Sequence, residues 1–150
     1  MKPQILVPYD FGPASARALV WAGDLQRSLG GLPIHVIHVL NPTPIAAIET
    51  VVPALSEDEI GPVRTALRDV VEELGIVATT EVLLAASPAT AILEAASRLK
   101  ADLIVMGTHG RGGLRRVALG SVADFVVRHA RCPVVTLRAK AADEQPARAA

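Results

Sequence analysis

Leu103-Ile104-Val105-Met106-Gly107-Thr108-His109-Gly110-Arg111-Gly112-Gly113-Leu114-Arg115-Arg116-Val117-Ala118-Leu119-Gly120-Ser121 decides how this chain is read. An apolar run, Leu103–Met106, reads as a buried strand, and five of the 11 glycines follow it: Gly107, Gly110, Gly112, Gly113 and Gly120. Glycine permits positive φ and close approach of backbone N–H groups to a ligand, and the N-terminus of the helix that follows carries partial positive charge. Strand, glycine loop and helix start together read as an anion site of the kind that holds phosphate.

Two familiar phosphate loops do not match. A Walker A loop needs Gly, four residues, Gly, Lys and Ser or Thr, and this stretch contains no lysine. A dinucleotide loop needs G-x-G-x-x-G, whereas Gly110-Arg111-Gly112 is followed three residues on by Arg115. The spacing present is Gly107-x2-Gly110-x9-Gly120-Ser121. By residue type alone it reads equally well as a flexible turn with Ser121 capping the next helix.

Outward from this loop the chain alternates between two periodicities. Gln4–Pro8 is a short apolar strand with Asp10 at its end, and Pro13 opens a helix at a position where its missing N–H is no loss. Ala14, Ala18, Trp21, Leu25 and Leu29 recur at helical spacing until Gly30-Gly31 stops them. Ile34–Leu40 is a second strand, whose His35 and His38 fall on opposite faces and so cannot share a metal. Asn41–Leu55, with Pro42, Pro44 and Pro53 among apolar residues, is a long connection. It reads either as a lid or partner surface or as a packed loop with a short helix. Ser56 and Glu59 form a capping box for a helix carrying Ile60, Val63, Leu67, Val70, Val71 and Leu74, closed by Gly75; Pro62 leaves its start open. Thr79–Leu84 is a third strand, and Ser87-Pro88 starts a helix with Ile92, Leu93, Ala96 and Leu99. Beyond the glycine loop, a helix from about Ala118 to His129 precedes a last strand, Val134–Leu137.

Strand and helix alternate five and four times, which predicts an α/β fold: a single-domain five-stranded parallel sheet with helices on both faces, Rossmann-like, of strand order 3-2-1-4-5. Residues 1–138 are expected to form that domain and 139–150 a disordered tail. In such sheets ligands bind beyond the C-terminal strand ends where the strand order reverses. Asp10 and the Gly107 loop are therefore expected to face one cleft.

Composition narrows the function. Hydrophobic residues make up 51% and aromatics only 3%, so the core must be aliphatic, and no stacking platform for single-stranded nucleic acid is available. Net charge is zero but uneven: residues 1–106 carry 7 basic and 12 acidic side chains, whereas residues 107–140 carry 7 basic ones against Asp124 alone. The basic run reads as a solvated face or as ligand attraction through Arg111, Arg115 and Arg116. Cys132 is the single cysteine, which rules out an internal disulfide and fits a reducing compartment. Only three apolar residues precede Pro8 after Met1-Lys2-Pro3-Gln4, unlike a secretory leader, and no apolar run approaches a membrane span. A cytoplasmic location is expected, with neither membrane nor nucleic acid as a partner.

From Ile5 to roughly Leu137 the chain resembles the universal stress protein family, in its ATP-binding branch. The resemblance rests on Val7-Pro8-Tyr9-Asp10, His38-Val39, Ala101–Gly107, the Gly107/Gly110/Gly120-Ser121 spacing and Arg131-Cys132-Pro133-Val134-Val135. It implies that Gly107, Gly110 and Gly120 offer backbone N–H groups to the phosphates of ATP and that the Ser121 hydroxyl donates to one of them. Pro8, Tyr9 and Asp10 would then line the nucleoside side and Val39 would pack on the adenine, while Met106, His109, Arg111 and Val122 complete the site. Asp10 would reach the ribose or a phosphate-bound Mg²⁺; by residue type it is equally an Asx turn ahead of Gly12-Pro13. His109 reads as a turn-stabilising residue and Arg111 as a solvated one. The uncharged strand Val134–Leu137, expected at the sheet edge, invites pairing with a second copy, and the resemblance implies a homodimer through it. It also implies a role in stress survival.

Two positions depart from the family pattern. Gly12 stands where a helix-capping Ser or Thr is usual, which bears on the geometry of the first helix, and Ala86-Ser87 replaces a common glycine. Among function classes, a nucleotide-binding stress protein using ATP as a state signal is set against a Mg-dependent phosphoryl-transfer enzyme and a nucleotide-free dimeric interaction protein. Phosphoryl transfer needs a metal clamp, a positioned nucleophile and transition-state cations; one carboxylate and some loop arginines are visible, no catalytic residue is assigned, and hydrolysis is expected to be slow or absent. A receiver domain wants an Asp where Ala85-Ala86-Ser87-Pro88 stands, and a flavin module wants aromatics that this chain lacks.

Overall fold

The computed structural model describes residues 2–41, 55–109 and 119–140. Five parallel strands, β1 (Ile5–Pro8), β2 (Ile34–Leu40), β3 (Ala78–Leu84), β4 (Leu103–Gly107) and β5 (Val134–Leu137), lie side by side in the order β3-β2-β1-β4-β5. Among the described residues four helices alternate with them: α1 (Pro13–Ser28), α2 (Glu57–Glu73), α3 (Pro88–Arg98) and α4 (Ser121–His129). Central β1 pairs on both sides, Ile5 standing opposite Ile34 and Leu103. The expected fold class and strand order are those observed.

Strand periodicity divides the core in two. Ile5 and Val7 of β1, Val36 of β2 and Val105 of β4 join Ala18, Leu19, Ala22, Leu67 and Val71 from α1 and α2 on one face. Leu6, Ile37, Ile104 and Met106 point the other way, toward Ile92, Ala95, Ala123 and Val126 of α3 and α4. A sheet covered on both faces needs strands that are apolar at every position, and all four residues of β1 are buried.

The apolar stripe of α1 differs from the one read from spacing. Its buried residues include Ala14, Ala18, Leu19 and Ala22, whereas Trp21 is 36% and Leu29 59% exposed. Three alanines four residues apart bring the helix axis close to the sheet, and the bulky Trp21 is left at the margin. Gly30 and Gly31 take φ of +74° and +82° after the helix, a conformation glycine adopts without strain. The missing hydroxyl at Gly12 does not disturb the start of α1. Gly12 is the N-cap, without a side-chain cap bond, and the turn before it is held by Asp10 Oδ1, which accepts from the Gly12 N–H at 2.8 Å and the Ser15 hydroxyl at 2.6 Å.

In α2 both arms of the Ser56/Glu59 capping box are present, and Pro62 lies inside the helix. The start of α4 is corrected from about Ala118 to Ser121, because Gly120 is extended at φ −69°, ψ 163°. His35 and His38 do diverge: the His35 ring meets Glu81 and Thr79, while His38 Nδ1 donates to the Tyr9 carbonyl at 2.7 Å. Among the described residues no group of three or more His, Cys, Asp or Glu is placed to hold a metal, and no helix is long and apolar enough to cross a membrane. Residues 42–54, which include most of the long proline-bearing connection, the loop residues 110–118 and the tail from 141 lie outside the described residues.

Candidate functional site

A cleft of about 940 Å³ opens where the strand order reverses, beyond the C-terminal ends of β1 and β4. One wall comes from β1 and β2 and the turn after β1, through Pro8, Tyr9, Asp10, Ile37, His38 and Val39. The other comes from the end of β4 and the start of α4, through Met106, Gly107, Thr108, His109 and residues 119–124.

Gly107 is needed for packing. A Cβ there would lie 2.8 Å from the Ser15 backbone N and 2.8 Å from the Ala14 Cβ. The first turn of α1 therefore rests directly on the last residue of β4, and Ser15 and Asp10 reach the cleft floor as a result. Next, Thr108 N–H donates to the Leu137 carbonyl at 2.8 Å and its hydroxyl meets His109 Nδ1 at 2.9 Å. The first bond ties the end of β4 to β5, and the second links the His109 ring to its neighbour.

Gly120 requires a correction. Its N–H donates to the Thr108 carbonyl at 2.6 Å, so it is not the phosphate donor expected from the glycine spacing. A Cβ at this position would stand 2.9 Å from the same carbonyl oxygen. What Gly120 does is bring the start of α4 against the end of β4. The intrahelical ladder begins with Asp124 N–H donating to the Gly120 carbonyl at 2.9 Å. The N–H groups of Ser121, Val122 and Ala123 precede that bond, and the first-turn N–H groups of a helix have no partner within it. All three residues line the cleft, and there the helix dipole favours an anion. Ser121 is the first helical residue, not the N-cap, so its exposed hydroxyl is not used in capping.

The facing turn is held by aromatic packing. Tyr9 N–H donates to the Ile37 carbonyl at 2.8 Å. The Phe11 ring lies edge-on to Tyr9 and to His38, with centroids 5.0 Å apart in each pair. Phe11 takes φ of +63°, a left-handed conformation that costs a non-glycine residue about 1–3 kcal/mol. The strain is held by these rings and by the Asp10 contacts to Gly12 and Ser15. Burial, and then the charge of Asp10, pushes the Tyr9 phenol above its ordinary pKa, so it stays a neutral hydrogen-bonding group.

Pro8, Tyr9, Asp10, Val39, Met106, Gly107, His109, Gly120, Ser121 and Val122 are thus brought to one cleft. Gly110 and Arg111 lie outside the described residues. Asp10 shows the Asx-turn geometry, with Oδ1 committed to the turn. Sequence reasoning missed Ser15, Ile37, Pro88, Ile92, Thr108 and Asp124 as lining residues. Thr108 stands between two assigned positions, but nothing local marks Ser15 or the α3 residues Pro88 and Ile92. Cys132 is only partly buried, and burial raises its thiol pKa.

Fold and cleft define a doubly wound α/β protein with a crevice at its switch point. The chain belongs to the universal stress protein family, whose family model matches residues 1–138. A universal stress protein of Methanocaldococcus jannaschii is 32% identical over 140 residues, covering 90% of this chain and 81% of that one. The structure of a universal stress protein from Lactobacillus plantarum superposes with a TM-score of 0.68 at 27% identity, over 91% of this chain and 97% of its own. An Arabidopsis thaliana family member, solved with AMP bound, gives a TM-score of 0.61 at 23% identity over 97% of each chain.

Proposed function

We propose that the cleft binds an adenine nucleotide, ATP with Mg²⁺, and that this cytoplasmic stress-response protein uses it as a state signal with slow or no hydrolysis. The observation that carries this reading is the start of α4. Ser121, Val122 and Ala123, whose N–H groups precede the first helical bond, line a cleft whose other wall is apolar at Ile37 and Val39. A phosphate suits the first and a purine the second. The AMP bound to the Arabidopsis relative supports an adenine base. Mg²⁺ keeps several waters and is held by one or two carboxylates plus phosphate oxygens. Asp10 fits that role through the oxygen that the turn leaves over, and the ion would neutralise phosphate charge. Gly110 and Arg111 belong to this proposal by their place in the motif alone.

Signalling is preferred to phosphoryl transfer because the described lining of the cleft carries no lysine or arginine to stabilise the charge of a phosphoryl transition state. Calorimetric titration with ATP, AMP and FMN, with and without Mg²⁺, tests the assignment. Ser121→Ala is expected to weaken ATP by about ten- to hundredfold, the equivalent of one hydrogen bond to a charged group, with unfolding unchanged. A wild type that binds no adenine nucleotide would sink the assignment. Phosphate release on the order of 1 s⁻¹, ordinary for an enzyme, would make it a phosphoryl-transfer protein.

We also propose a homodimer through β5. The strand pairs with β4 alone, stands at the sheet edge, and its four residues, Val134, Val135, Thr136 and Leu137, are uncharged and half-buried. A charge on an edge strand opposes pairing. Thr136→Lys is therefore expected to convert a dimer to a monomer in sedimentation equilibrium, and a monomeric wild type would refute the interface.

A further inference from the structure

The described lining of the cleft carries two carboxylates, Asp10 and Asp124, and no lysine or arginine. Asp124 lies in the first turn of α4, directly after the residues whose N–H groups form the anion site. Its carboxylate accepts from Arg128 Nε through both oxygens, at 3.1 and 3.0 Å. Arg128 is one turn further along and is not among the lining residues. The acidic group is thus beside the phosphate donors and its counter-charge is displaced away from them. A carboxylate in a first turn favours the helix, but it also repels the anion that the same turn would bind.

We infer that Asp124 is a specificity-determining residue of the cleft, disfavouring uncomplexed polyphosphate and so making triphosphate binding depend on a divalent cation. This rests on the nucleotide reading of the same cleft. ATP without Mg²⁺ brings nearly all its phosphate charge against Asp124, whereas Mg-ATP and AMP bring about half as much or less. Arg128 sets the size of the effect by screening the carboxylate.

The test is titration of the full chain with ATP and with AMP, each in EDTA and in excess Mg²⁺, for the wild type, Asp124→Asn and Arg128→Gln. The Asp124 and Arg128 side chains are 49% and 70% exposed, and an exposed pair contributes little to stability, so both variants are expected to fold and thermal unfolding verifies it. Asp124→Asn is expected to tighten metal-free ATP by about three- to tenfold while moving Mg-ATP and AMP much less. Arg128→Gln should move metal-free ATP the other way, and about 0.5 M salt should shrink both differences. Equal changes for metal-free and Mg-bound ATP, or none, overturn the inference and leave Asp124 as a helix-surface ion pair. A wild type whose ATP affinity ignores Mg²⁺ overturns it while the nucleotide reading stands. A wild type that binds neither ATP nor AMP overturns both.

Discussion

Gly107→Val is expected to lower the unfolding midpoint by about 6–12 °C, the equivalent of roughly 3 kcal/mol in a chain of this size. Overpacking a filled site ordinarily costs about 1–3 kcal/mol, and here the obstructing atoms include backbone. The Ser15 N, the Ala14 Cβ and the Ala14 carbonyl carbon lie 2.8, 2.8 and 2.9 Å from the added Cβ. No rotamer change relieves a backbone clash, so the first turn of α1 must lift from β4. With it move Ser15 and the turn in which Asp10 holds Gly12. Nucleotide affinity is therefore expected to fall together with stability, and Gly107→Ala should show a smaller version of both. Thermal denaturation with and without ATP measures the pair of effects. An unchanged midpoint would mean that α1 is free to shift, contrary to the packing described.

Val39→Trp is expected to separate the two quantities. Val39 is only partly buried at the end of β2 and forms part of the cleft wall. An indole here fills the space assigned to the adenine without entering the fully buried core. ATP and AMP affinity should each fall by more than about a hundredfold, or 2.8 kcal/mol, while unfolding without ligand stays near the wild-type value. Retained affinity would place the base elsewhere in the cleft and undo the assignment of Val39, though not that of the phosphates. The two variants differ because Gly107 is held between backbone segments, whereas Val39 is a partly buried residue at the margin of the core that faces the cleft.

The motif glycines show how far reading from sequence carries. The family resemblance implies phosphate contacts for Gly107 and Gly120, and both stand at the cleft. Their lack of a Cβ, however, is explained by contacts within the protein: α1 against Gly107, and the Thr108 carbonyl against Gly120. Sequence spacing cannot tell a glycine that makes room for a ligand from one that makes room for a neighbouring backbone, since both need the same absence of side chain. Asp10 is a similar case. Both readings of it were legible, and the distances of 2.8 and 2.6 Å to Gly12 and Ser15 established the turn. Trp21 and Leu29 fit the helical spacing of α1 yet are exposed, because spacing gives a stripe without its centre, and the buried alanines set that centre.

The order of strands and helices, the parallel sheet, its aliphatic core and the crevice at its switch point are all legible in the residues alone. These follow from periodicity, from glycine and proline punctuation and from the handedness of crossover connections, all of which are local or general. Only contacts between distant segments show that the N–H groups starting α4 lie outside its helical ladder, that Phe11 is held left-handed between Tyr9 and His38, that Pro88 and Ile92 of α3 help enclose the cleft, and that Asp124 lines it beside the start of α4. Each of these depends on the distance between residues far apart in the chain or on which donor another group has already taken, and neither is encoded in spacing along one segment.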